Sequence, residues 1–295
     1  MPKVLITGSG GQLGQELQVL AARFPAFTFL APARTELDIT QTAQLRAYFA
    51  EHQPDYCFNT AAYTAVDRAE TEAEAAYACN ETAVGQLAQL CAQYDCHLIH
   101  YSTDYVYRGG IGRPLREDDP TEPSGVYAAS KLAGEQAALA SGARATIVRT
   151  SWVYSSFGHN FVKTMLRLGR ERNQLSIVFD QVGTPTYATD LALASLQVIQ
   201  QIERGECPAA RTQGIFHYSN EGVASWYDFA LAIFELSGIE CRVRPIRSEA
   251  YPTPATRPHY SVLDKEKFKA SFGLDIPHWR ASLKRCLKRL ADANK

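Results

Sequence analysis

Lys3-Val4-Leu5-Ile6-Thr7-Gly8-Ser9-Gly10-Gly11-Gln12-Leu13-Gly14 carries an apolar stretch straight into a glycine-rich turn, and an amphipathic run, Gln12–Phe24, follows. The order predicts a buried strand, a tight turn and a helix. Glycines at 8, 11 and 14 would let the turn close, let the backbone approach a ligand, and let the helix pack against the strand. The helix would then point free N–H groups and its positive dipole end at phosphates. A glycine-rich string also occurs in ordinary turns; its place in the first strand–helix junction makes it a dinucleotide cradle.

The same rhythm continues outward from this junction. Strands are expected at Phe27–Ala31, Tyr56–Asn59, His97–Ser102 and Ala145–Arg149. Helices are expected at Leu37–His52, from Glu74 to Tyr94, and at Val126–Ser141. Apolar strands alternating with helices imply a parallel sheet covered on both faces, so the fold class is α/β, a doubly wound Rossmann-type sheet. After Trp152 the rhythm changes. Helices are expected at Asn160–Arg172, Thr189–Arg204, Ser225–Ser237 and Pro277–Ala293, strands at Leu175–Val178 and Gly214–Tyr218. Tyr251-Pro252-Thr253-Pro254-Ala255-Thr256-Arg257-Pro258 is too proline-rich for a helix and reads as a loop. Residues 1–150 are therefore expected to bind the cofactor. Residues 151–295 should form mainly a smaller substrate-binding lobe, with some segments returning to the sheet.

Composition removes several function classes. The net charge of −1 over 295 residues gives no field that would draw in nucleic acid or an anionic membrane. With 46% hydrophobic residues the chain can build a large core, and no apolar stretch reaches membrane-spanning length. The seven cysteines include no C-x-x-C pair, which argues for reduced thiols in a cytoplasmic protein rather than for disulfides or zinc. The basic residues Lys284, Arg285, Lys288 and Arg289 suit a solvated helix end.

The second strand should end at the residue that reads the adenosine ribose. An acid there would bond the 2′-hydroxyl and repel a 2′-phosphate. Pro32-Ala33-Arg34-Thr35 offers Arg34 instead, so NADPH is the expected cofactor and NADH the alternative. Asp38 comes too late for the ribose but is placed for the adenine.

Ser102-Thr103-Asp104 ends the fourth expected strand, and Tyr127-Ala128-Ala129-Ser130-Lys131 opens the next helix. Tyr127 and Lys131 lie one turn apart and share a face. A phenol with a pKa of about 10 is poorly matched to neutral pH, and a neighbouring ammonium should lower it. Thr103 can orient a carbonyl oxygen or share the proton while a nicotinamide delivers hydride. Of the 15 tyrosines only Tyr127 has a lysine four residues on. Tyr-x-x-x-Lys is common by chance; its position after Ser-Thr, downstream of a cradle, gives it meaning.

These strings resemble a family. The G-x-x-G-x-x-G spacing is that of short-chain dehydrogenases/reductases. Asn59-Thr60-Ala61-Ala62-Tyr63-Thr64-Ala65-Val66-Asp67, His100–Tyr107, Arg149–Tyr154, Asn160–Arg167 and Tyr251–Pro258 are similar to the dTDP-4-dehydrorhamnose reductase family within that group. The resemblance covers nearly the whole chain. It implies reduction of dTDP-4-dehydro-L-rhamnose at C4. By motif, Gly11, Gln12 and Leu13 would touch the cofactor pyrophosphate, and Asp38 and Ile39 would flank the adenine. Ala62, Tyr63, Thr64 and Tyr101 would line the nicotinamide side, with Tyr127 and Lys131 serving both chemistry and ribose. Thr103, Asp104 and Trp152 would contact the sugar; Asn160, Lys163 and Arg257 would meet the dTDP diphosphate. Some members pair as magnesium-bridged dimers through several glutamates. Here Glu16 is present but Thr189 stands where a second glutamate is expected, so a homodimer would not be metal-bridged, and no metal is expected at the catalytic centre. Two rivals remain. A dehydratase or epimerase would want an Asp-Glu pair after the threonine, and Tyr105 follows Asp104 here. A non-catalytic regulatory subunit, like that of methionine adenosyltransferase, would have no need of Tyr127, Lys131 and Thr103.

Overall fold

A computed structural model describes residues 1–109, 112–208 and 211–293. Its centre is a parallel sheet of β1 (Lys3–Thr7), β2 (Thr28–Leu30), β3 (Tyr56–Asn59), β4 (His97–Thr103), β5 (Ala145–Thr150) and, much later in the chain, β7 (Gly214–His217). The spatial order is β7-β5-β4-β3-β1-β2. The order reverses between β1 and β3. A ligand crevice forms where the carboxyl ends of such strands diverge.

The inner strands are buried on both faces, whereas the edge strand β2 is exposed to half-buried, and the side chains alternate between two cores. Val4 and Ile6 join Phe58, Ile99, Tyr101, Val148 and Phe216 under α1 (Gln12–Ala21) and α6 (Ala188–Glu203). Leu5, Cys57, Leu98 and Ile147 face the opposite way, under α2 (Thr42–His52), α3 (Ala83–Gln93) and α4 (Val126–Ala140). Burying a single such aliphatic side chain is worth about 1.5–3 kcal/mol, which makes the alternation a strong determinant of register.

A third core gathers Tyr154, Val162, Met165, Phe229, Ile233, Trp279 and Leu283. It lies among α5 (Phe161–Glu171), α7 (Trp226–Ser237) and α9 (Trp279–Asp292), beside a small parallel pair, β6 (Gln174–Val178) with β8 (Arg242–Ile246). Segments beyond residue 150 do return to the sheet. These are β7, α6, and α8 (Glu266–Phe272), whose Phe268 and Phe272 join the first core.

Three details depart from the sequence reading. The helix expected from Glu74 to Tyr94 is broken: Ala73–Tyr77 leads into a π turn, Ala78–Thr82, before α3 begins. The helix expected from Leu37 starts only at Thr42, because Asp38 takes the N–H and hydroxyl of Thr40 into a turn. The basic face of α9 is only half solvated. Arg289 reaches the fully buried Glu16 at 2.7 Å, and Arg285 reaches the buried Asp190 at 2.6 Å, so both guanidiniums neutralise buried carboxylates and pin the last helix down. Ser155 also donates to Glu16, at 2.6 Å. All seven cysteines are free, and among the described residues no helix is long and apolar enough to cross a membrane.

Candidate active site

The glycine turn is a tight cradle. Gly8 has φ +65, and a Cβ there would sit 2.6 Å from the backbone nitrogen of Ala61. A Cβ on Gly14 would sit 2.5 Å from the carbonyl oxygen of Gly8. Turn, first helix and the β3 exit loop therefore meet with nothing but backbone between them. Gly11 precedes α1 in extended geometry, and no side chain caps that helix. Uncapped N–H groups beside a glycine turn at the sheet's switch point fit a dinucleotide pyrophosphate, and Gly11, Gln12 and Leu13 are the residues that would hold it. Ala62, Tyr63 and the exposed Thr64 lie on the β3 exit loop next to this turn.

That exit loop is held from behind. Asn80, in the π turn, accepts from the Tyr63 N–H at 2.9 Å and donates to the Tyr63 carbonyl at 3.0 Å and to Ser130 at 3.1 Å. Ser130 sits between Tyr127 and Lys131 on α4, so one buried amide fixes the loop to that helix. Glu70 accepts from the Val126 N–H at 2.9 Å, capping that helix from outside. Asn80 and Glu70 were absent from the sequence reading. Polar Cys79-Asn80-Glu81-Thr82 inside an otherwise amphipathic run was the available signal.

The α4 face brings together the expected pair. Lys131, 2% exposed, donates to the Tyr101 carbonyl at 2.7 Å, and burial drops its ammonium to about 8. One turn further on, Glu135 holds the buried Arg149 at 2.6 Å, and its charge supports the ammonium. Tyr127 is half-buried, and its ring lies edge-on to Tyr105 with centroids 6.0 Å apart. Burial pushes its phenol up to about 12, a hydrogen bond with Thr103 pulls it back, and the charge of Asp104 pushes it up again. The expected lowering by Lys131 is not found, because that ammonium is directed at the Tyr101 carbonyl. Thr103 in turn donates to Asp104 at 3.1 Å, and burial pushes the Asp104 carboxyl up to about 6. Among the described residues no cluster of three or more His, Cys, Asp or Glu could hold a metal.

Several other expected residues sit differently. Tyr101 contributes its carbonyl rather than its ring, since its hydroxyl donates to Ser195 at 2.9 Å inside the first core. The Ile39 side chain is buried in the second core, leaving only its backbone for an adenine. Arg34 is 82% exposed just past β2 and pairs with Asp38 at 3.1 Å, so the two form one surface unit. Asn160 is committed to structure: its oxygen caps α5, and its amide donates to Gln12 at 2.9 Å and the Ser155 carbonyl at 2.7 Å. Lys163 faces a groove of about 650 Å³ shared with Arg170, Lys284 and Leu287, away from Arg257.

Arg257 lines a cleft of about 710 Å³ together with Asp67, Phe161, Met165, Val178 and Trp226. Trp226 stacks on Trp152 with centroids 3.6 Å apart and planes 7° from parallel. Trp152 follows the end of β5, whose Thr150 pairs with Thr103, so it stands at the catalytic edge of the sheet. Its φ of +48 is strained for a tryptophan, and the stack holds it there. The cleft thus has an aromatic wall that adjoins the Tyr127 edge and a cationic lip.

Known proteins share the sequence and the fold of this chain. Residues 2–292 match the model of the RmlD substrate binding domain. A dTDP-4-dehydrorhamnose reductase of Aggregatibacter actinomycetemcomitans is 39% identical over 96% of this chain and 98% of its own. The crystal structure of the Clostridium acetobutylicum dTDP-4-dehydrorhamnose reductase superposes with a TM-score of 0.91 at 38% identity, covering 98% of this chain and 99% of that one. The Bacillus anthracis reductase, solved in complex with NADP, gives a TM-score of 0.91 at 35% identity over the same shares of the two chains. The glycine turn, the helix of Tyr127 and Lys131, and the cleft therefore occur here in a chain that belongs to the dTDP-4-dehydrorhamnose reductase family.

Proposed function

We propose that this protein reduces the C4 ketone of dTDP-4-dehydro-L-rhamnose to dTDP-L-rhamnose, using NADPH in the cytoplasm. The observation that carries the reading is the placement of Tyr127, on the helix that carries Lys131, beside Thr103 at the carboxyl end of β4, the sheet edge that also bears the glycine cradle. Residues 1–150 supply most of the cofactor side, and the third core supplies most of the substrate side.

The chemistry that a reduced nicotinamide supplies at such an edge is hydride transfer to a carbonyl carbon. The chain's own task is the proton. With its pKa near 12, Tyr127 is fully protonated at neutral pH, the state a donor needs. An alkoxide forming at C4 is a stronger base than a phenolate, so the proton moves downhill from the Tyr127 hydroxyl to the sugar oxygen. Thr103 lies beside the phenol and can bond the same oxygen. Lys131, whose ammonium bonds the Tyr101 carbonyl, would hold the nicotinamide ribose from the same helix. The Trp152–Trp226 stack offers an apolar face to the sugar, and Arg257 a fork of donors to the diphosphate. If the chain pairs with itself, Glu16 is not available to a bridging metal, because Arg289 already neutralises it.

The test is NADPH oxidation by the purified protein, supplied with dTDP-4-dehydrorhamnose made in situ and repeated with NADH. We expect one NADPH consumed per dTDP-rhamnose formed, faster than with NADH. Absence of turnover with a correctly folded protein would overturn the reading and favour a non-catalytic role.

A further inference from the structure

The two lips of the substrate cleft are joined by one ion pair. Arg257, on the proline-rich loop, donates to both oxygens of Asp67, at 2.8 Å and 3.1 Å. The Ala255 N–H donates to the same carboxylate at 3.2 Å, and Arg257 also bonds the Ala255 carbonyl at 3.2 Å. Asp67 belongs to the short helix Val66–Ala69, next to the Glu70 that caps the catalytic helix. Both partners line the cleft, with side-chain exposures of 22% for Arg257 and 39% for Asp67.

A partly buried guanidinium gains from a counter-charge, and Asp67 provides it in the free protein. A nucleotide diphosphate offers pairs of oxygens that can accept from the same guanidinium fork, with more charge than a carboxylate. It cannot share Arg257 comfortably with Asp67, because carboxylate and phosphate oxygens on one fork repel each other. Resting on the sugar-nucleotide reading above, we propose that Asp67 is an internal stand-in for the substrate diphosphate: the two compete for Arg257, and substrate entry opens the Asp67–Arg257 clasp that otherwise ties the proline-rich loop across the cleft. Asp67 is then a positioning residue that trades nucleotide affinity for a closed, charge-balanced free site. Arg257 is the group for which both anions compete.

The arrangement is tested by calorimetric titration of the full-length protein with dTDP. Asp67→Asn removes the competitor and should tighten dTDP binding roughly tenfold, while Asp67→Glu should restore the wild-type constant. Arg257→Gln should weaken binding about tenfold or more. The deciding measurement is the double variant, which should match Arg257→Gln alone, because Asp67 acts only through Arg257. Should Asp67→Asn fold poorly, Asp67→Ser serves in the same cycle. A static brace predicts unchanged or weaker binding in Asp67→Asn, and either result overturns the proposal. So does a gain that persists without Arg257, which would mark simple removal of negative charge. If the wild type binds no dTDP at all, the sugar-nucleotide reading itself fails; if it binds and the cycle is additive, only the competition fails.

Discussion

On the Tyr127 side of the cleft, Lys131 is 2% exposed, bonded to a strand carbonyl, and carried on a helix tied to the β3 exit loop through Asn80 and Ser130 and to the sheet through Glu135. On the substrate side, Arg257 rides a loop and is held by a single carboxylate that is 39% exposed. The first is a buried network in which each polar group has a fixed partner; the second is a partly wet ion pair that can exchange partners cheaply. Proton transfer needs a donor held to within fractions of an ångström, whereas a substrate must enter and leave. One cleft therefore combines rigid and exchangeable construction, and each side predicts a different response to change.

The largest effect is expected at the rigid side. Tyr127→Phe deletes the donor without disturbing the ring contact to Tyr105, and turnover should fall by roughly 10²–10⁴-fold. Affinity for NADPH and for dTDP should stay within about twofold, since neither requires that proton. Steady-state rates alongside binding titrations make the check, and near-normal turnover would remove Tyr127 from the mechanism.

Asp104 gives the next largest effect, and it is one of pH. Burial holds its carboxyl protonated up to about 6, against 3.8 in the unfolded chain, so between these values the folded state binds the extra proton. Stability from this group is present below pH 4 and is lost as pH rises through 6. His97, buried and held at about 4 rather than 6.5, acts in the opposite sense over an overlapping window. The difference between wild type and Asp104→Asn isolates the carboxyl. The variant should gain on the wild type between pH 4 and pH 7, by at most about 3 kcal/mol. Urea unfolding at both ends of the range reads it, and a pH-independent difference would show that Asp104 ionises as freely in the folded protein as in the unfolded one.

A third change strikes the brace behind the rigid side. A Cβ on Gly134 would lie 1.9 Å from the Asn80 carbonyl, whereas one on Gly85 would meet only the Ala137 methyl, at 3.3 Å. Gly134→Ala should cost about 1–3 kcal/mol and weaken NADPH binding, because the π turn that fixes Tyr63 must shift. Gly85→Ala, on a neighbouring helix, should be close to neutral. Equal melting temperatures for the two variants would show that the π turn is not clamped by α4.

Why the sequence revealed one kind of construction better than the other follows from these residues. Strand alternation, the glycine spacing and the Tyr127–Lys131 interval are local patterns, and they located the sheet, the glycine turn and the helix that carries Tyr127. Asn80, Glu70 and Asp67 act on partners 17, 56 and 190 positions away, and no periodicity reports such pairings. Asn160 and Tyr101 likewise have partners that no local pattern reports. Both lie where a ligand was expected, yet their polar atoms are engaged by Gln12 and Ser195 across the fold. The phenol's pKa was misjudged for a related reason: helical spacing put Lys131 beside Tyr127, but the strand carbonyl that captures the ammonium comes from another element.

The smallest effect tests whether exchangeable construction extends to the cofactor's far end. Arg34 is 82% exposed and paired with Asp38 only four residues on, the kind of contact worth at most about 0.5 kcal/mol. Arg34→Ala should thus leave the melting temperature nearly unchanged. A 2′-phosphate, however, offers this guanidinium a stronger acceptor than Asp38 does. The variant should then lose about five- to tenfold in its preference for NADPH over NADH, mainly through a higher KM for NADPH. Asp38→Asn should move the ratio the other way, because Arg34 would be released to the phosphate. Opposite shifts from the two variants would make Arg34–Asp38 a second pair that surrenders its cation to a phosphate. Parallel shifts would confine that behaviour to the substrate lip.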